Sequence, residues 1–321
     1  MTPDLIHTLL LLALPASGKS EVRKYLASVP AEACRRDFHL GPTVQLDDFP
    51  YVPLMRRTDD VLRTLGKPPV FFRAADQPFA DGRDWGTLIE LVNEDHAALV
   101  ARRAPGSKHA GEHMLMRLAT CRERVGAAGP LAHVDAQTRG EVAAALEDEA
   151  RALYDEQRRN IPDTLEGKTV VIEFARGGAE GAKMPLAPPY GYGYSLSRLS
   201  SAILERASIL YVWVTPEESR RKNLARADRS DPGSILHHSV PADVMRQEYG
   251  CDDIEWLMQH SDRPGALRIE AHGKVFHPRI ARFDNRVDLT SFVRKPKSEW
   301  APAEVQALHH GLKSALLGLV S

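Results

Sequence analysis

The chain has 321 residues, of which 43% are hydrophobic and 26% are charged, and these ordinary proportions exclude wholesale disorder. Its 42 Lys and Arg residues balance 43 Asp and Glu residues, so the formal net charge of -1 lacks the basic excess typical of nucleic-acid-binding proteins. The length is sufficient for one large α/β domain with an insertion, or for two modest domains.

Cysteine usage and hydropathy bear on the compartment. Cys34, Cys121 and Cys251 are far apart and odd in number, so they indicate neither a metal site nor a disulfide framework, and they favour a reducing compartment. The apolar run at residues 9–14 lacks a preceding basic region and is too short to span a bilayer. We therefore expect a cytoplasmic protein without a membrane partner.

The N-terminal region has the pattern of an α/β protein. Residues 6–13 form a short continuous apolar run, which predicts a buried strand of a parallel sheet. Residues 20–27 follow as a helix with apolar side chains on one face. Residues 44–46 predict a second strand that ends at Asp47 and Asp48.

Long helical patterns dominate the region from about residue 50 to residue 160. They lie at residues 87–103, 112–125 and 139–159, and Pro- and Gly-containing breaks separate them. This predicts a helical insertion at residues 51–164 in a core formed by residues 1–50 and 165–321.

Strands and helices alternate again in the remainder of the chain. Strands are predicted at 169–174, 209–214, 267–270 and 280–283, and helices at 196–206, 216–227, 240–259 and 302–319. A glycine-rich loop at residues 177–193 is of a kind that is often mobile and functional. The order of these elements predicts a parallel sheet with helices on both faces.

A phosphate-binding motif joins the first strand to the first helix. Residues 13–20 read A-L-P-A-S-G-K-S, which matches the P-loop pattern with Ala13 in place of the first glycine. Such a loop aims backbone amides and a helix dipole at a phosphate, Lys19 reaches the terminal phosphates, and the Ser20 hydroxyl ligates Mg²⁺. The predicted nucleotide-binding residues are Pro15, Ala16, Ser17, Gly18, Lys19, Ser20 and Glu21.

The turn at residues 14–20 resembles that of P-loop kinases in the nucleoside and nucleotide kinase-like superfamily. The resemblance implies a three-layer P-loop NTPase fold that uses ATP and Mg²⁺ for phosphotransfer. It covers the core strands and the basic helix, and it does not extend to the helical insertion. In the resembling kinases an insertion at this point covers the acceptor site, so we expect the insertion to act as an acceptor-binding or lid region.

The segment Q-L-D-D-F-P-Y at residues 45–51 resembles the acidic segment of uridine-kinase-like and nicotinamide-riboside-kinase-like enzymes. The resemblance implies that an aspartate faces the acceptor hydroxyl as a general base or helps to hold Mg²⁺. Either Asp47 or Asp48 fits this role, and Asp47 is favoured as the first polar residue after the strand. The alternative is a paired aspartate that caps a helix or stabilises a turn.

Glu173 lies at the carboxyl end of the predicted strand Thr169–Phe174, the edge where open α/β sheets bind ligands. It resembles a Walker B acid that supports Mg²⁺, although many members of the family carry Asp. Arg176 is then a candidate for binding a substrate phosphate. The alternative is a salt bridge between Glu173 and Arg176.

The basic helix at residues 216–227 resembles the lid of small-molecule kinases, whose arginines stabilise the charge that develops during phosphotransfer. Arg226 and Arg229, at the end of this helix, are the candidates, and Arg221 lies further back. The alternative is a solvated helix supported by a Glu217–Arg221 pair.

Two other patterns carry weaker indications. His109 and His113 fall in an H-x-x-E-H sequence that resembles a zinc motif, but nearby Pro and Gly residues favour a solvated helix start. Tyr190, Tyr192 and Tyr194 alternate with glycines, which fits an aromatic lid and a packed loop equally well.

Together these features predict an ATP-dependent phosphotransferase acting on a small hydroxyl- or phosphate-bearing acceptor such as a nucleoside, nucleotide or sugar. One alternative is a regulatory NTPase coupled to a partner, although no GTPase base-reading loop is present. A second is a polynucleotide end kinase, against which the net charge of -1 argues weakly. A third is a nucleotide-binding module without turnover, against which the retained Lys19 and Ser20 argue.

Overall fold

A computed structural model describes residues 5–103, 105–225 and 239–320. The strands are β1 (Thr8–Leu12), β2 (Thr43–Asp47), β3 (Thr169–Phe174), β4 (Ala207–Trp213), β5 (Ile269–Ala271), β6 (Lys274–Phe276) and β7 (Arg279–Asp284). The helices are α1 (Lys19–Ser28), α2 (Ala31–Phe38), α3 (Tyr51–Thr64), α4 (Asp84–Val100), α5 (Ala110–Arg124), α6 (Ala136–Asn160), α7 (Gly191–Arg198), α8 (Ser201–Leu204), α9 (Pro216–Ala225), α10 (Ala242–Glu248), α11 (Ile254–Gln259) and α12 (Pro302–Leu317).

A parallel sheet with the strand order β2-β3-β1-β4-β7 forms the centre of the molecule. All five residues of β1 are buried, as expected for a strand covered on both faces. Leu9 and Leu11 point to one face, where α1, α2 and α12 pack, whereas Leu10 and Leu12 point to the other face, where α4 and α7 pack. The predicted parallel sheet with helices on both faces is therefore confirmed.

The connections after β1 and β3 leave the sheet in opposite directions. The chain after β1 enters α1 on one face, and the chain after the adjacent β3 enters α7 on the other. Open α/β sheets bind ligands in the crevice that such a divergence creates at the carboxyl ends of the strands. The fold therefore directs attention to the carboxyl edge of β1, β3 and the neighbouring β2.

Four helices, α3 to α6, separate β2 from β3 and share a hydrophobic core of their own. Leu14, which follows β1, also belongs to that core, and Ile89 and Val92 of α4 pack against the central sheet. The helical region is thus joined to the sheet through α4. The boundaries of this region at residues 51 and 164 stay a prediction.

Some elements differ from the expectation. The sequence analysis did not anticipate α2 or α3; Pro53 lies in the first turn of α3, where a missing amide hydrogen is tolerated. The helix expected at 240–259 is divided into α10 and α11, because the backbone of Gly178 hydrogen-bonds with Gly250 and Cys251 between them. These bonds also hold the glycine-rich loop after β3 against the body of the protein.

Within the described residues, no helix is both long and apolar enough to cross a membrane.

Candidate functional site

The loop between β1 and α1 has the backbone of an anion-binding turn. Ala16 and Gly18 both have positive φ values, of 57° and 107°, and α1 begins directly after Gly18. Alternation of left- and right-handed residues turns successive amides toward one concavity. Since Gly18 has no side chain to cap the first turn of α1, the helix terminus is open to an external anion.

Three distant side chains fix this loop by binding its carbonyl groups. The Tyr192 hydroxyl donates to the Ala13 carbonyl at 2.9 Å, and the Ser219 hydroxyl donates to the Pro15 carbonyl at 2.7 Å. The Asn285 amide donates to the Ser17 carbonyl at 2.7 Å. These three hydrogen bonds tie the loop to α7, α9 and the residue after β7, and so fix its conformation beside the cavity.

Lys19 and Ser20 both line the cavity in front of this loop. The Lys19 ammonium donates to the Ala13 carbonyl at 3.2 Å, which holds the side chain back across the loop. The Glu21 side chain is directed elsewhere: it is fully buried in an ion pair with Arg294 at 2.7 Å. Of the seven predicted nucleotide-binding residues, Pro15, Ala16, Ser17, Lys19 and Ser20 line the cavity, whereas Gly18 and Glu21 do not.

Two carboxylates lie side by side at the ends of adjacent strands. Asp47 of β2 is opposite Glu173 of β3 in the sheet register. The Arg23 guanidinium bridges them, with Nη1 at 3.1 Å from Asp47 and 2.6 Å from Glu173. Burial, followed by repulsion from Glu173, raises the pKa of Asp47 to about 7. The pair thus forms an anionic site that a cation stabilises.

Asp48 lies in a different environment from its neighbour. It is 6% exposed and forms an ion pair with Arg176, whose Nη1 is 2.6 Å from Oδ2. Burial raises the pKa of Asp48, while the charges of Arg176 and Lys19 oppose that rise. Arg176 itself is 1% exposed, and the Glu173–Arg176 salt bridge considered as an alternative is replaced by this Asp48 pair.

These groups surround one cavity at the carboxyl edge of the sheet. The loop residues Pro15, Ala16, Ser17, Lys19 and Ser20 form one side. The carboxylates of Asp47, Asp48 and Glu173 lie beside them, and the remaining wall comes from helices α3, α4, α9 and the end of α10. The structure therefore brings together groups that the sequence analysis derived from three separate strand ends.

The basic helix α9 contacts the site through residues that were not predicted. Ser219 binds the loop, and Asn223 lines the cavity. Arg221 is 61% exposed, as the solvated-helix alternative expects, but it pairs with Glu218, and Glu217 pairs with Arg220 in place of the predicted Glu217–Arg221 pair. The lid candidates Arg226 and Arg229 fall in residues 226–238, outside the described part of the chain.

The weaker motifs have structural roles in the described chain. The His113 imidazole is 2.8 Å from the Tyr154 hydroxyl, and Tyr192 is fully buried beneath the β1–α1 loop. In residues 5–103, 105–225 and 239–320, no group of three or more His, Cys, Asp or Glu side chains is arranged to hold a metal ion.

Several site residues escaped the sequence analysis. Arg23 could have been predicted from the sequence, because it lies one helical turn after Lys19 and Ser20 and therefore on the same side of α1. No local sequence pattern predicts the other three residues, because packing of distant segments brings them to the site. They are Trp85 and Tyr249 in the cavity wall and Asn285 behind the loop.

The chain matches no protein-family model, and neither a curated protein nor a solved structure matches it.

Proposed function

We propose that the protein is an ATP-dependent phosphotransferase, with the β1–α1 loop acting as a P-loop. The observation that supports this most is the composition of one cavity: a concave amide-rich loop with Lys19 borders the half-buried carboxylate of Asp47 and the buried carboxylate of Asp48. A phosphate-binding group beside a proton acceptor is the arrangement that phosphoryl transfer requires. We also propose a cytoplasmic location. It is supported by the three cysteines, which are all free thiols, as is usual in a reducing compartment.

The donor phosphates would bind the amides of residues 15–20, and Lys19 would neutralise charge on the terminal phosphates. The donor set fits Mg²⁺ in its chemistry, because the Ser20 hydroxyl and the adjacent Asp47 and Glu173 carboxylates, which Arg23 bridges, are all oxygen donors. Glu173 and Ser20 would hold the ion. Bound Mg²⁺ would supply neutralisation of the phosphate oxygens.

The acceptor would present a hydroxyl group to the aspartates. Its oxygen forms a bond to the γ-phosphorus while the bond from that phosphorus to the ADP oxygen breaks, and the hydroxyl proton passes to a carboxylate. Asp47 and Asp48 both line the cavity, so both remain candidates for this base. Arg176 would then act as a positioning residue, because its guanidinium is engaged with Asp48.

A matched pair of variants on one helix tests the proposal. Lys19→Ala should reduce phosphotransfer by roughly 100-fold or more and weaken ATP binding, because the loop loses its charge. Lys24→Ala should leave both unchanged, since Lys24 is exposed on the same helix and binds the Arg294 carbonyl instead. ATP titrations and product analysis measure both effects, and melting curves check the fold. Unchanged ATP consumption in Lys19→Ala would refute the assignment.

The acceptor dependence of ATP consumption separates this function from its alternatives. A phosphotransferase should form a phosphorylated product in proportion to the ADP released. Hydrolysis that needs no acceptor and rises with a protein partner would favour the regulatory NTPase, and transfer to a nucleic-acid 5′-hydroxyl would favour the polynucleotide end kinase.

A further inference from the structure

Part of the cavity wall is apolar. It is formed by Phe49 and Val52 at the start of α3, Leu88 of α4, Val240 before α10, and the aromatic rings of Trp85 and Tyr249. An apolar wall gains free energy when it excludes water against an apolar or flat ligand surface. This wall is the part of the cavity available to an acceptor.

The two aromatic rings are held in fixed orientations. The Trp85 ring packs edge-to-face on Phe79 at 4.9 Å and on Tyr249 at 5.5 Å between ring centroids. Its indole nitrogen donates to Glu248 at 3.2 Å. Trp85 is 6% and Tyr249 is 8% exposed, and the Arg176 guanidinium lies over the Trp85 ring at 4.8 Å. The part of each ring that reaches the cavity is therefore rigid and loses little conformational entropy when a ligand binds.

The cationic side chains that line the cavity already interact with protein groups or belong to the donor loop. Among the described lining residues, the cationic side chains are Lys19, which belongs to the donor loop, and Arg176. Arg176 donates to the Ser195 hydroxyl at 3.0 Å, to the Ala175 carbonyl at 2.6 Å and to the Trp85 carbonyl at 3.2 Å, in addition to its ion pair with Asp48. Each of its three guanidinium nitrogens is therefore engaged by a protein group.

The other polar groups also disfavour an anion. The Asn223 side chain forms two hydrogen bonds with the backbone of Val240. Its Nδ2 donates to the Val240 carbonyl, and its Oδ1 accepts from the Val240 amide, each at 2.8 Å. Asp47, Asp48 and Glu173 bring three carboxylates to the same cavity. An acceptor phosphate placed beside them would compete with these carboxylates for Arg23 and Arg176, which already balance their charge, and would lie near the donor phosphates in a partly desolvated space, which costs free energy.

The geometry points to an acceptor class: an alcohol that carries no anionic group and lays an apolar or flat part on Trp85 and Tyr249. This inference rests on the proposed phosphotransferase function and narrows its acceptor range. Nucleosides and other uncharged ring alcohols belong to the class, whereas nucleotides and sugar phosphates do not.

Acceptor pairs that differ by one phosphate test this inference on the full-length protein. Adenosine with AMP, uridine with UMP, and glucose with glucose 6-phosphate are supplied with ATP and Mg²⁺, and phosphorylated products are quantified. We expect kcat/KM to be at least roughly tenfold higher for an uncharged member than for its phosphorylated partner, which corresponds to about 1.4 kcal/mol. Transfer confined to phosphorylated members, or no transfer to any uncharged member, would overturn the inference.

A variant that adds a cation to the wall tests the charge argument directly. Val52 is half-buried and lines the cavity, so Val52→Lys should shift the kcat/KM ratio within each pair toward the phosphorylated member. Val52→Leu is the size control and should keep the wild-type ratio. An unchanged ratio in a folded Val52→Lys protein would contradict the charge argument.

Failure of this inference is distinguishable from failure of the proposed function. If Lys19-dependent transfer occurs but selects phosphorylated acceptors, the acceptor class is wrong and the phosphotransferase function stands. If ATP binding and consumption do not depend on Lys19, both proposals fail.

Discussion

The carboxylates at the strand ends illustrate how neighbouring residues acquire different chemistry. Asp47 ends β2 beside Glu173 and meets Arg23, whereas Asp48 turns to the buried Arg176. The two side chains therefore differ in their partners although they are adjacent in the chain. Under the proposed function, a kinetic test can distinguish Asp47 from Asp48 as the general base.

The pH dependence of the reaction should report this carboxylate cluster. Burial and the charge of Glu173 raise the pKa of Asp47 to about 7, and a base must be ionised to accept a proton. We therefore expect kcat/KM to rise with pH and to level off above about 7 when assayed from about pH 5.5 to about pH 8.5. If Asp47 is the base, the rise of kcat/KM with pH should vanish in Asp47→Asn. If Asp48 is the base, it should vanish in Asp48→Asn. A flat wild-type profile would contradict the prediction.

The loop before α1 depends on a glycine for two physical reasons. Gly18 has a φ of 107°, and a Cβ atom there would lie 2.5 Å from Thr290 Oγ1 and 2.7 Å from Asn285 Nδ2. Gly18→Ala should therefore distort the loop, lower ATP affinity by roughly tenfold or more and cost about 1–3 kcal/mol of stability.

Gly66 offers a matched control for this substitution. It also has a positive φ, of 69°, but a Cβ atom there would meet no atom within 4 Å. Gly66→Ala should cost about 1 kcal/mol and leave ATP affinity unchanged. Equal ATP affinity in Gly18→Ala and wild type, measured by calorimetric titration, would refute the role assigned to the loop.

The helices between β2 and β3 meet at a buried polar network that includes a residue from each of them. The Tyr51 hydroxyl of α3 donates to Asp95 of α4 at 2.5 Å, and Arg117 of α5 binds the same carboxylate at 2.8 Å. Gln157 of α6 donates to Asp95 at 2.9 Å. Because Tyr51 follows the acidic pair closely in the chain, the network also anchors the segment that carries Asp47 and Asp48.

Disruption of this network should destabilise the helical region. Asp95→Ala leaves the buried Arg117 without one carboxylate partner and should cost about 3 kcal/mol, whereas Tyr51→Phe should cost about 1 kcal/mol. Asp60→Ala, which removes an exposed α3 ion pair with Arg63, should cost less than about 0.5 kcal/mol. Urea unfolding measures all three, and equal effects of Asp95→Ala and Asp60→Ala would contradict this account.

The C-terminal helix closes one face of the molecule through charged as well as apolar contacts. Lys313 of α12 lies 2.6 Å from Asp37 of α2, which also pairs with Arg36 at 2.7 Å. The His309 imidazole lies 2.9 Å from the Tyr25 hydroxyl of α1. Since the proposed phosphate-binding loop leads directly into α1, these contacts support the candidate site through that helix.

The stability of that face should depend on pH. Hydrogen bonds from Arg36 and Lys313 hold the pKa of Asp37 below its usual value. A carboxyl group whose pKa is lower in the folded state stabilises the fold above its unfolded pKa of about 3.9, and this contribution is lost as pH falls further. Asp37→Asn should lower the melting temperature at neutral pH and flatten its decline in acid. If the melting temperatures of the variant and the wild type fall by the same amount between neutral and acid pH, the prediction is contradicted.

Local patterns were sufficient to predict part of this protein. The apolar run of β1, the glycine–lysine turn and the acidic residues after β2 and β3 are each encoded within a few neighbouring residues, so the parallel sheet and the row of site residues along its edge were predictable. The same reasoning missed α3 and merged α10 with α11, because tertiary contacts compete there with local periodicity.

The partners of the site residues depend on long-range packing. The Arg176–Asp48 ion pair, the aromatic wall of Trp85 and Tyr249, and the support of the loop by Asn285 join segments that are distant in the chain. No local pattern specifies such contacts, since they arise only when helices on both faces of the sheet bury their apolar sides together. Sequence periodicity therefore determined where the chemical groups emerge, and packing determined which of them meet.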